Sequence, residues 1–131
     1  QIMNYDQFIK AVKDSGQFSD RNAAIKATKA VLETMRERLL GDEASNLAAQ
    51  LPAELGDCLR GREGQMGDNF KIEEFYTRVA NRAGVDIESA APYARTVMSV
   101  LSQAVSPGEF ADVRVNFAKD YDELCAEVAQ R

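Results

Sequence analysis

Apolar positions along the chain recur at helical spacing. Tyr5, Phe8, Ile9 and Val12 fall at i, i+3, i+4 and i+7, one stripe of a 3.6-residue period, and Ile72, Phe75, Tyr76 and Val79 repeat it. A longer stripe follows each: Thr28, Val31, Leu32, Met35 and Leu39 in the first half, then Ala94, Val97, Met98, Leu101 and Val105 in the second. These are the predicted core helices. Sliding the sequence along itself aligns the halves at an offset of 67, which becomes 66 after a one-residue slip around Phe18 and Val85. Before the slip Phe8 and Val12 meet Phe75 and Val79; after it Ala24 meets Ala90, Leu32 meets Met98, Met35 meets Leu101, Glu43 meets Glu109, Leu51 meets Phe117 and Leu55 meets Tyr121. The pattern predicts an all-α fold of seven to eight helices in two tandem pseudo-repeats of three to four helices each, related by an approximate internal twofold. One helical domain covers 1–131, with a first repeat over 4–60, a Gly-rich linker over 61–69 and a second repeat over 70–128.

Local punctuation refines these elements. Asn4 with Gln7 makes a capping pair, and Ser106-Pro107-Gly108-Glu109 supplies a Ser cap, Pro at the first helical position and Glu at the third. Pro52 suits the first turn of a short fourth helix running to about Leu59, and the run Gly61 to Gly67 reads as a flexible linker. Phe110, Val113, Val115 and Phe117 include a strand-like alternation, but the matching Ala44 to Leu51 reads as helix, so helix is assigned to both. Pro92 falls where the second long helix of the second half is already under way, which leaves two options: a start near Ser89, or a kink in the first turns.

Composition changes the picture mainly by what it removes. Histidine is absent, which takes away the commonest general base and the commonest zinc ligand. The two cysteines, Cys58 and Cys125, are too isolated for a disulfide framework or a thiolate metal site and read as core thiols. No run approaches the roughly 18 apolar residues of a membrane span, and no basic-then-apolar leader is present, so no membrane role and a cytoplasmic location are expected. The net charge of −5, concentrated in the second half, argues against general nucleic-acid binding.

Candidate chemistry is sparse. A carboxylate di-metal bundle needs Glu-x-x-His pairs and cannot be completed without histidine. Glu33, Glu37, Glu73, Glu74 and Glu88 lie mostly off the apolar stripes and read as solvated charge. Asp42-Glu43 and Glu109 occupy matched places at the start of the third helix of each half, where a carboxylate opposes the macrodipole and satisfies free N–H groups. A paired acid/base site would need the pseudo-twofold to bring Glu43 and Glu109 together; the helix-start role is preferred. The run GREGQMG lacks a Gly-Lys-Ser/Thr ending and a preceding strand, and no Gly-x-Ser-x-Gly elbow occurs. Between Lys10 and Arg38 there are seven basic residues against four acidic ones, a locally basic region that could serve nucleic acid but is interrupted by acids and lacks interleaved aromatics. No catalytic, cofactor-binding or metal residue is assigned.

The segments NYDQFIKAV, ATKAVLETMRERL with GDEASNLAAQLPAEL, FKIEEFYTRVANRAGVD, ARTVMSVLSQAVSPGEFADV and a late Tyr121 together resemble the bacterial family catalogued as domain of unknown function 2267. The resemblance begins near Met3 and covers nearly the whole chain; Phe117-Ala118 stands where the family usually has a second Leu-Pro, which loosens the placement of the last helix. It implies an all-helical cytoplasmic protein of bacteria and supplies no catalytic residues. The expected function is therefore a non-enzymatic protein-interaction or scaffold module that takes a protein partner or a second copy of itself and needs no cofactor. The alternatives are nucleic-acid binding through the first repeat, or a small apolar ligand held by Met35, Met98, Phe110 and Phe117. An exposed apolar patch, a basic face, an enclosed apolar pocket or convergent polar groups in a cleft would respectively mark the interaction module, nucleic-acid binder, ligand carrier and enzyme.

Overall fold

A computed structural model describes residues 3–125. The order of elements is α1 Tyr5–Gly16, α2 Arg21–Arg38, α3 Gly41–Ala48, α4 Ala53–Gly56, α5 Ile72–Ala83, α6 Ile87–Ala104, α7 Pro107–Asn116 and a final 3₁₀ helix, Lys119–Cys125. No strand occurs among the described residues, and the part of the predicted second repeat at 126–128 lies outside them.

The caps read from the sequence are present. The Asn4 side chain accepts from the Gln7 N–H at 2.8 Å while the Gln7 side chain accepts from the Asn4 N–H at 2.9 Å, and the Ser106 hydroxyl accepts from the Glu109 N–H at 3.2 Å. Asp20 and Asp86 cap the two long helices in the same way, at Ala23 and Ser89. The one-residue slip has a physical seat. Both α1 and α5 end on a left-handed residue, Gln17 (φ 54°) and Gly84 (φ 69°), after which the first connection is one residue longer than the second.

Three expectations need correction. Pro52 is the residue before α4 rather than in its first turn, and α4 closes at Gly56 before turns lead to Leu59. Helix α6 begins at Ile87, earlier than Ser89, because Asp86 caps it; Pro92 lies inside the helix and cannot donate to the Glu88 carbonyl. The expected flexible linker is tied down: the Gly41 N–H donates to the Gln65 carbonyl (2.9 Å), the Gly64 N–H to Asp42 Oδ1 (2.7 Å) and the Asp68 N–H to the Glu37 carbonyl (2.8 Å). Two glycines permit this close backbone approach. A Cβ at Gly41 would collide with the Arg62 carbonyl, and one at Gly67 with the Arg38 carbonyl.

One hydrophobic core runs through the molecule. Helix α2 packs on α1, α5 and α6; α6 packs on α5, α1 and α2; α3 packs on α7. Each half thus lies against the other rather than forming a core of its own. Phe8, Met35, Phe75, Met98 and Tyr121 are sealed inside. Around Tyr121 an aromatic cluster closes the second half: its ring stacks on Phe117 at 4.9 Å, meets Phe75 edge-on at 5.5 Å, and its hydroxyl donates to the Phe70 carbonyl at 2.7 Å. Burial pushes the Tyr121 phenol up to about 12, so it remains a donor. Both cysteines are buried, and burial raises both thiols.

Candidate functional site

Three places gather chemistry or exposed apolar surface. The first lies between α3 and α7. Their packing sets Glu43, in the first turn of α3, against Glu109, in the first turn of α7, and Asp112 stands one turn beyond Glu109. One carboxylate oxygen from each of the three lies within 4.8 Å of the other two. Glu109 is only 9% exposed, and one oxygen each of Glu43 and Glu109 is sealed from solvent without a hydrogen-bond partner. Burial, reinforced by the adjoining Glu43 carboxyl and then by Asp112, pushes the Glu109 carboxyl up to about 8. The helix-start role expected of these residues extends only to opposing the macrodipole, since α3 has no side-chain cap and Ser106 caps α7.

The second place joins the halves between α2 and α5. Glu37 accepts from Arg82 through both oxygens, at 2.8 and 2.7 Å, and from Arg78 at 3.1 Å. Arg82 also donates to the Thr34 hydroxyl at 2.8 Å, and the Arg78 guanidinium lies 3.9 Å above the Phe70 ring. The hydrogen bonds from Arg82, outweighing burial and aided by Arg78, bring the Glu37 carboxyl down to about 2. Glu37 was expected among solvated charges; with a side chain 24% exposed it is an ion-pair hub instead. Glu73, Glu74 and Glu88 are exposed as expected. The only local signal for the hub was the i, i+4 pair of arginines on α5, whose acceptor lies 45 residues before Arg82.

The third place is a surface groove of about 380 Å³ bordered by Arg38, Leu40, Met66, Gly67, Asn69, Val115 and Asn116. Leu40 is 42% exposed, Met66 77% and Val115 85%; with Ile87 these are the large apolar side chains left exposed among the described residues. Asn116 fixes the two walls by accepting from the Leu40 N–H at 3.0 Å. The buried Arg38 closes the floor, its Nε donating to the Phe70 carbonyl at 2.9 Å and its guanidinium lying 5.0 Å over the Tyr121 ring. Sequence reasoning missed this groove, although Val115 carried a signal. Once α7 is helical, Val113 and Phe117 at i and i+4 turn inward and Val115 must turn out.

A family model described as "Uncharacterized conserved protein (DUF2267)" matches residues 5–124. The chain belongs to that family. No curated protein matches it. The DUF2267 match spans α1 through nearly all of the final 3₁₀ helix, so each of the three places lies within the family region. Part of the basic run of α1 and α2 is engaged within the DUF2267 fold. Lys10 pairs with Asp14 at 2.7 Å, Arg21 with Asp6 at 2.9 Å, and Arg38 is buried. Met35, Met98, Phe110 and Phe117, the expected lining of an apolar ligand site, are all members of the single core. No helix among the described residues is long and apolar enough to cross a membrane.

Proposed function

We propose that this chain is a non-enzymatic protein-interaction module of the bacterial cytoplasm, and that the groove bordered by Leu40, Met66 and Val115 is its contact surface. The observation that carries the reading is the convergence on one depression of three of the four large apolar side chains exposed among the described residues. Scattered singly, such residues need no explanation; grouped around a rigid concavity they offer a partner an apolar anchor point with a polar rim from Asn69 and Asn116. The groove is also pre-organised, because α2, the tied-down 61–69 segment and α7 each supply one wall, so little ordering cost opposes binding. The partner is a protein that inserts an apolar side chain, a second copy of this chain included.

The experiment compares the intact protein with Val115→Glu and Met66→Glu. Both positions are exposed, so neither change should unfold the chain. Sedimentation equilibrium reads self-association, and cross-linked capture from a bacterial lysate reads other partners. A self-associated mass or a defined partner that falls at least tenfold in both variants is the expected result. Identical masses and identical captured proteins for all three, or recovery of nucleic acid alone, would sink the proposal.

A further inference from the structure

We propose that Glu43, Glu109 and Asp112 form a binding site for one hard divalent cation between the first turns of α3 and α7. Oxygen-only donors of this kind suit Ca²⁺, Mg²⁺ or Mn²⁺ and not the softer metals that seek thiolate or imidazole. One oxygen from each of the three residues lies within 4.8 Å of the other two, close enough for modest side-chain movement to bring all three onto one such ion.

Sealed, unpartnered oxygens distinguish this cluster from an ordinary acidic patch. Glu109 is nine-tenths buried, Glu43 and Glu109 each hold a sealed oxygen without a partner, and one carboxylate oxygen of each lies within 4.8 Å of the other's. A buried carboxylate oxygen without a donor is costly, and the described ion pairs bring no Lys or Arg to any of the three residues. The helix N-termini favour negative charge only weakly, too little to hold three carboxylates together. A proton shared between Glu43 and Glu109 would relieve that pair alone and gives Asp112 no part in the cluster. Asp112 is exposed, so it supplies both the remaining ligand and the route by which an ion and its waters enter.

The test is isothermal titration of the chelator-treated full chain with Ca²⁺, Mg²⁺ and Mn²⁺ in turn, alongside thermal unfolding with and without each ion. Glu109→Gln keeps the shape and can donate to Glu43, and Glu43→Gln is a second variant should the first fold poorly. One saturable ion per chain, a Tm raised by that ion, and at least tenfold weaker binding with loss of the Tm rise in either folded variant are the expected results. No saturable binding and no Tm shift with any of the three ions at about 10 mM would overturn the site in favour of a shared proton, since a ligand specific to the folded state must raise stability. Binding that persists unchanged in both variants would overturn it by placing the ion elsewhere.

Discussion

Glu37 shows how one side chain can join two halves of a chain. Its ordinary carboxyl value is 4.5 and its folded value about 2, because Arg82 and Arg78 hold the ionised form. A folded value below the unfolded one means that the folded state binds fewer protons. The stabilisation is therefore fully present above about pH 4.5 and is lost as pH falls through about 2. The gap corresponds to at most about 3 kcal/mol, and partial exposure lowers the realised amount toward about 2 kcal/mol. Glu37→Gln should lower stability by that amount at pH 7 and flatten the acid limb between pH 4.5 and 2. Urea unfolding at several pH values checks both; an unchanged acid limb would show that the cluster contributes nothing.

At the scale of elements, the helices were legible and their meeting points were not. Capping and stripes are local: Asn4 with Gln7, Ser106 with Glu109, and the apolar faces of α2 and α6 all follow from residues within a turn or two of each other. The offset of 66 aligned Glu43 with Glu109, but alignment of two positions does not dictate contact, and only the packing of α3 on α7 joins them. Glu37 was misread for the same reason, since its partners lie across the molecule. The segment over 61–69 was misread because glycine serves two opposite ends, loose linkers and close backbone contacts. Here the close contact can be tested. Gly41→Ala places a methyl group against the Arg62 carbonyl at a backbone-to-backbone junction that has no flexible side chain to yield. It should cost about 2 kcal/mol or more and release the segment, seen as faster hydrogen exchange at the Gly41 and Gly64 amides. Wild-type stability and exchange would show that the segment is not anchored there.

For the whole molecule, helix lengths run in parallel, 12 and 18 residues in α1 and α2 and again in α5 and α6. The contacts α1 with α6 and α5 with α2 exchange roles when the halves are exchanged. We read this as an internal duplication, supported by those parallels and by the matched apolar positions. Neither half closes a core alone, so residues 1–66 and 67–131 expressed separately should lack cooperative thermal transitions, while mixing them should restore one. A sharp transition in either piece alone would contradict the shared-core reading.

The interleaving of the halves also bears on how the chain reaches its fold. Helices of 12 to 18 residues form on the microsecond scale, but the pairing of α1 with α6 must wait for a loop of more than 70 residues to close. Search through sequence-distant pairings, rather than helix growth, sets the rate, so this helical protein should fold more slowly than a bundle whose neighbours in space are neighbours in sequence. Until that encounter the stripes of α1 and α2 stand open to water, and a nascent first half is the species most in need of protection from aggregation.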